Sequence, residues 1–548
     1  MKRINLGLLL AVTLALLPSL KGAPVVQVLG VGSSAQFKTA CIGAFLNLAG
    51  GHGSAHHWSK KDKTTGGNNF AQLHDTRSAS IPNEGGSVWV VWDNAHTKIW
   101  AYLSVDSVVG NRAYFANPRA QLQLDPSVTS TPGQNLISAA LFAGQADELA
   151  LPTDIFIALN NAHVTAAFTD IRPEDAKFAQ CRAASTLDPV NYTGLGYGTS
   201  AVTNCSTAPT LVGTAINSAV STAKATPVAF NISGTDPFTH APIPAFTTIP
   251  IGAAPIIFII NRTDASGLGA PGVFKNVSLA NIRKIYNGTE CDTNAFAEPG
   301  PPPNKAITVV NREPLSGTFN TTEFTNFRLT PDLHKNTQEL GVNPALAGNN
   351  PLNKPCATVG GVTGKRIRAI GTGEVVGRGV QAVPNSIGYV FFSFGNVSPI
   401  AGSPSFGYLT LDGVDGIHTS YTNGNLPTCT EPCPAAGGTT FPNVRNGSYR
   451  SWSVLRVATD AAGTNFTNTK ALVNAAQAHT NGTVPDYVPF LPQAGGEPGL
   501  QKYRSHFLQQ GVSPNNGLPN GVGIEAGGDM GGCIEPNSAP PGVLSCRQ

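Results

Sequence analysis

Two apolar runs pass directly into a Gly/Ser turn and then a helical spacing, and nothing else constrains this chain as strongly. One is Ala306-Ile307-Thr308-Val309-Val310, followed by Asn311-Arg312-Glu313-Pro314-Leu315-Ser316-Gly317-Thr318 and a helix expected through Phe319 to about Arg328. The other is Val25-Val26-Gln27-Val28-Leu29, followed by Gly30-Val31-Gly32-Ser33-Ser34-Ala35 and apolar residues at 37, 41, 44, 45 and 48. That second spacing lies along one helical face. A short buried strand that feeds a helix through a tight turn is the building unit of an α/β fold.

Both turns also carry chemistry. A helix start exposes backbone N–H groups that have no partner within the helix, at the positive end of the dipole. Ser316 and Thr318 add hydroxyl donors, and Gly317 lets a ligand approach the backbone. Arg312 adds a planar charge suited to oxyanions. The turn therefore reads as an anion seat, although a plain Ser-Gly-Thr turn would carry the same residues. In the first turn, Ser34 offers a hydroxyl, and Ser34 and Ala35 offer amides. An ordinary capped helix accounts for those residues equally well.

A chain of 548 residues has room for two or three domains and a large core. Its 60 Gly and 42 Pro favour turns and long loops over bundled helices. The net charge of +3 gives no reason to expect nucleic acid or an anionic membrane as a partner. Residues 1–22 read as a secretory signal: basic Lys2-Arg3, an apolar core from Leu6 to Leu17, then small residues. No Cys stands where a lipid anchor would need one. An exported destination, periplasmic or secreted, suits the nine cysteines. Cys429 with Cys433, Cys533 with Cys546, Cys181 with Cys205, and Cys291 with Cys356 are compatible bridges, with Cys41 left over on a helix. The alternative leaves several of them free and buried, and spacing alone does not choose.

Further along, Gly50 to Asn69 reads as a polar, irregular loop. His52, His56 and His57 invite a metal, but no carboxylate or Cys stands near them in sequence, so a solvated loop is preferred. Residues 87–92 and 98–103 read as a hairpin, either an insertion or an elaborated edge, whose aromatics could serve packing or a partner. Ser107 opens a turn at 106–112. Residues 116–150 read as a polar connector with a helix over 136–149. Val164 to Ile171 is a strand ending at Asp170. That acid could face a ligand, cap the following helix, or pair with Arg172. Thr248 to Asn261 is a turn and buried strand, and Val277 to Gly288 a short capped helix stopped by Asn-Gly. Gly371-Thr372-Gly373-Glu374 misses nucleotide-loop spacing and reads as a helix start. The tail from about 490 reads as irregular.

Taken in order, these segments resemble the periplasmic phosphate-binding proteins of ABC phosphate importers. The resemblance rests on Arg312-x-x-x-Ser316-Gly317-Thr318, the Gly/Ser turn at 30–35, the Ser107 turn, the strand ending at Asp170, the 277–288 helix, Gly388-Tyr389, and the 441–455 return. It covers 25–48 and 164–455, with gaps. It implies an α/β, two-lobed, type II periplasmic-binding-protein-like fold, with an extra β-rich insertion and an irregular C-terminal tail. Lobe 1 would comprise 23–248, with the insertion at about 49–103, and a return at 438–490. Lobe 2 would comprise 249–437, and the tail 491–548. Hinges would lie near 249–255 and 438–446. The phosphate-binding set would be Ser33, Ser34, Ala35, Ser107, Asp170, Arg312, Ser316, Gly317 and Thr318, with no catalytic residue, metal or cofactor.

In that reading Asp170 accepts the proton that phosphate carries and repels a bare sulfate oxygen. An unpaired acceptor of this kind can discriminate by factors of about 10⁴–10⁵. The family places an Asp two residues after the binding Arg, where this chain has Pro314, so Glu313 or another carboxylate must orient Arg312. The implied partners are inorganic phosphate and an inner-membrane ABC permease, with the protein a monomer and no nucleic acid bound. The rival expectations are a secreted phosphoester hydrolase, for which no Gly-x-Ser-x-Gly or His-Glu-x-x-His motif is found, and an adhesion or structural protein that keeps the binding fold.

Overall fold

The computed structural model describes residues 22–61, 69–137, 141–142, 150–185, 215–296, 304–327, 338, 354–428, 441–479, 487–489, 502–504 and 534–536. The signal segment and the Cys429, Cys433, Cys205, Cys533 and Cys546 positions lie outside these residues.

The elements that position the site are eleven strands and six helices. The strands are β1 (Val25–Gly32), β2 (Ala55–Lys60), β3 (Ser87–Asp93), β4 (Lys98–Ser104), β5 (Ala166–Thr169), β6 (Phe246–Asn261), β7 (Thr308–Arg312), β8 (Lys365–Ala369), β9 (Ser386–Phe391), β10 (Phe406–Leu411) and β11 (Trp452–Asp460). The helices are α1 (Phe37–Gly43), α2 (Ser107–Phe115), α3 (Pro173–Ser185), α4 (Leu279–Tyr286), α5 (Gly317–Thr322) and α6 (Thr464–Gln477).

The main sheet runs β8-β7-β9-β6-β11-β5-β1-β4-β3-β2, with β10 also on β6. It divides into two half-sheets. In the first, β1 pairs parallel with β4 and β5. In the second, β7 pairs parallel with β8 and β9. The 16-residue strand β6 belongs to both. Its first part, Phe246 to Pro255, pairs antiparallel with β11. Its second part, Ile256 to Asn261, pairs antiparallel with β9 and β10. The run Ile256-Ile257-Phe258-Ile259-Ile260 is fully buried, as a strand covered on both faces must be.

The 87–103 hairpin proves to be part of the main sheet. β4 lies beside β1 over seven registered pairs, and β3 and β2 extend that half-sheet outward. Its aromatics serve packing. Trp89, Trp92 and Tyr102 are fully buried and Trp100 nearly so, and Trp89 Nε1 donates to Phe37 O at 2.8 Å.

Of the stretch 50–69, expected as an irregular loop, residues 55–60 are corrected by β2, residues 51–54 are bend and turn, and 62–68 lie outside the described residues. Cross-strand pairing to β3 overrides its polar composition, because a histidine ring offers a flat face that packs well in a strand. His56 stacks on Trp92 at 5.4 Å and 13°, His57 stacks on Phe142 at 4.1 Å and 15°, and His52 meets Phe45 edge-on. In the connector, residues 136 and 137 are not helical, while 138–140 and 143–149 lie outside the described residues. In the tail, Lys502–Arg504 pairs antiparallel with Ile534–Pro536. No helix among the described residues is long and apolar enough to cross a membrane.

Cys291 and Cys356 form a disulfide with Cα atoms 5.9 Å apart, closing 65 residues of chain around the β7–α5 segment. Cys41 is fully buried on α1. Cross-linking a loop of this length removes unfolded-state entropy worth about 4 kcal/mol. We expect reduction, or Cys291→Ser with Cys356→Ser, to lower unfolding stability by about 2–4 kcal/mol in denaturant titrations. An unchanged midpoint would show that this bridge does not constrain the unfolded chain.

Candidate functional site

Five strands, parallel within each half-sheet and opposed between the two, end at one place. β1 leads to Ser33 and Ser34, β4 to Asp106 and Ser107, β5 to Asp170, β7 to Arg312, and β8 to Thr372. The carboxyl ends of parallel strands are where α/β folds leave a crevice. Here the crevice lies between the two half-sheets. It is crossed directly by Arg312 Nη2 to Asp106 Oδ1 at 2.6 Å, Val108 N to Leu315 O at 3.4 Å, and Ser34 Oγ to Thr372 Oγ1 at 3.5 Å.

Arg312 is 2% exposed, on an apolar strand that carries it to the centre of the crevice. Its Nε donates to Glu313 Oε2 at 3.1 Å and its Nη2 to Glu313 Oε1 at 3.2 Å. This paired grip fixes the guanidinium from the adjacent residue, and the position two residues on is Pro314. Nη1 donates to Thr372 Oγ1 at 3.0 Å and to Thr318 Oγ1 at 3.5 Å. Burial works against the guanidinium charge, but Glu313 and Asp106 beside it hold the proton more firmly than usual. Glu313 is fully buried. Burial pushes its carboxyl well above the usual range, and Arg312 offsets only part of that.

Asp170 is 2% exposed. Its Oδ1 is buried and has no hydrogen-bond partner. Burial pushes this carboxyl up to about 7 against the opposing pull of its own backbone amide and Arg312. Its surroundings fix it in place. Ser107 Oγ accepts from the Asp170 amide at 3.4 Å, and Ser453 Oγ donates to the Asp170 carbonyl at 2.6 Å. Arg172 turns away to grip Asp175 at 3.0 Å. Gly317 lies against this group. A Cβ built on Gly317 would come within 2.6 Å of Ser107 Oγ and still nearer to Asp170 Oδ1. The absence of a side chain at 317 is therefore a steric requirement here.

The remaining expected residues hold the turns. Ser316 is the N-cap of α5, and its Oγ accepts from Phe319 N at 3.2 Å. Ser33 caps the turn before α1, and its Oγ accepts from Ala35 N at 3.2 Å. The Ala35 amide is thereby engaged within its own turn. Ser33 O accepts from Tyr102 Oη at 2.5 Å, which ties the first turn to β4. Ser34, Ser107, Asp170, Arg312, Gly317 and Thr318 are thus brought together, with Ser33, Ala35 and Ser316 shaping the turns beneath them.

No protein-family model matches the chain, and no curated protein matches it. Similar solved structures exist. One is a putative phosphate ABC transporter substrate-binding protein with bound phosphate from Clostridium perfringens, at 20% identity and TM-score 0.25 over 42% of this chain and 65% of that one. The chain therefore spans a little under two thirds of that protein's length. Another is an ABC-type phosphate transport receptor from Vibrio cholerae, at 14% identity and TM-score 0.25 over 43% and 70% of the two chains. A phosphate-binding protein from Stenotrophomonas maltophilia matches at 14% identity and TM-score 0.31 over 84% and 87%.

Sequence reasoning missed two members of the cluster. Thr372 was hidden in a Gly-rich stretch, and its role emerges only because β8 pairs with β7. Asp106 stood next to Ser107, and no local pattern marks it as a partner for a residue 206 positions away. A third feature also had no sequence signal. Ser218 Oγ lies 2.6 Å from Glu374 Oε2 and 3.1 Å from Arg368 O, and Ala219 N donates to Arg368 O at 3.0 Å. A few residues on, Thr226 meets Glu84 and Arg112, and Val228 N donates to Gln180 Oε1 at 2.6 Å. The segment from Ser218 to Val228 is thus fastened to both half-sheets.

Proposed function

We propose that this chain is an exported solute-binding protein that captures inorganic phosphate in the crevice between its half-sheets for ABC-type uptake, without catalysis. One observation carries the reading. A buried carboxylate oxygen with no partner, Asp170 Oδ1, lies beside a guanidinium, a bare glycine backbone and the hydroxyls of Ser107 and Thr318. An unpaired buried acceptor is costly unless a ligand brings it a hydrogen. An oxyanion that still carries a proton supplies that hydrogen and accepts from Ser34, Ser107, Thr318 and Arg312. Of the nine residues expected from sequence, Ser34, Ser107, Asp170, Arg312, Gly317 and Thr318 stay in the proposed contact set, Ser33, Ala35 and Ser316 shape its turns, and Thr372 is added.

The test is calorimetric titration of the purified protein with phosphate and with sulfate at pH 9, where Asp170, pushed up to about 7, is ionised and phosphate still carries a proton. We expect phosphate to bind and sulfate to bind at least about 100-fold more weakly, because sulfate would set a bare oxygen against Asp170. Equal affinity for the two ions would remove Asp170 from the binding reaction. Binding of neither would end the proposal.

A further inference from the structure

We infer that Asp106 is a specificity-determining residue that competes with the bound oxyanion for Arg312 and so sets how tightly the site holds its ion. This rests on the phosphate reading above.

The N–H groups of Arg312 are divided among four partners. Glu313 takes Nε and one side of Nη2, and Thr372 and Thr318 face Nη1. Asp106 takes the remaining direction of Nη2 at 2.6 Å, the shortest of these contacts. Glu313 meets the guanidinium in a two-bond grip, the geometry that best satisfies it. Asp106 brings a second carboxyl group, from the other half-sheet, to the face of Arg312 that looks across the crevice.

The local structure of Asp106 points the same way. It stands at the N-cap of α2, where an aspartate ordinarily accepts from an amide of the first helical turn. Its side chain makes no capping bond. It reaches across the crevice instead. Its carboxylate is 17% exposed at the Arg312 ion pair, while Arg312 is 2% exposed. A carboxylate placed there offers Arg312 the same donor–acceptor geometry as an oxyanion. An ion that binds Nη2 must displace Asp106 or lie beside its charge.

The experiment compares wild type with Asp106→Asn by phosphate calorimetry at one pH and ionic strength. Asn is as good an N-cap as Asp, so the start of α2 is preserved. Asp106→Ser, also a good cap, serves if the Asn variant does not fold, and circular dichroism checks both. The expected result is phosphate binding at least about 10-fold tighter in the variant. Binding by the variant alone would equally support the inference. Equal or weaker binding in the variant, with wild type binding phosphate, would overturn the inference and leave the phosphate reading standing. Binding by neither protein would overturn both.

Discussion

Asp170→Asn should make the protein more stable at pH 8 and, on the function proposed above, weaken phosphate binding. The carboxyl of Asp170 is pushed up to about 7 by burial, from an unfolded value near 3.9. Between roughly pH 4 and pH 7 the folded state holds a proton at this site that the unfolded state has released. Stability contributed by this group therefore falls as pH rises through that window and is lowest above pH 7. A tenfold change in proton affinity is worth about 1.4 kcal/mol, so the buried charge costs on the order of 4 kcal/mol at pH 8. The neutral amide does not carry that cost. We expect urea unfolding at pH 8 to show a gain of about 2–4 kcal/mol in Asp170→Asn, shrinking toward pH 4. The amide also presents N–H donors where the carboxylate presented only acceptors. The preference for phosphate over sulfate should accordingly collapse. A variant with wild-type stability at pH 8 would show that Asp170 carries no buried charge.

Gly317→Ala should abolish binding with far less effect on the fold. The added methyl would enter the space bounded by Asp170 Oδ1 and Ser107 Oγ, where the proposed oxyanion would meet the α5 backbone. It would force apart groups on opposite half-sheets, because Gly317 belongs to one and Ser107 and Asp170 to the other. Overpacking of this kind costs about 1–3 kcal/mol. The same displacement moves donors off target, and we expect phosphate affinity to fall at least about 100-fold by calorimetry. Wild-type affinity in this variant would place the ligand elsewhere.

Much of the site was legible because its residues sit in local patterns with physical meaning. Arg312, Ser316, Gly317 and Thr318 occupy a strand-to-helix turn, and Asp170 closes an apolar strand. Such motifs are set by residues within one turn of each other, so the chain displays them directly. Asp106 and Thr372 depend on which strands become neighbours. Their contribution arises from the pairing of β8 with β7 and from the facing of β4 toward β7, and no short window carries that information. β2 was misread for a related reason. Its histidines and lysine look solvated in isolation, yet pairing to β3 and stacking on Trp92 and Phe142 bury His57 and Lys60 and half-bury His56. The Cys291–Cys356 bridge was among the compatible pairs, and only the approach of 288–292 to 355–364 selects it.

The long strand β6 has a mechanical consequence. Two rigid bodies on slack linkers can swing freely, but here one backbone is hydrogen-bonded into the first half-sheet up to Pro255 and into the second from Ile256 onward. Any widening of the crevice must bend that strand over a few peptide units. The register irregularity between Pro250 and Gly252 lies close to them and gives that stretch some compliance. A strand held this way at both ends resists splaying of the two half-sheets like a clamped leaf spring.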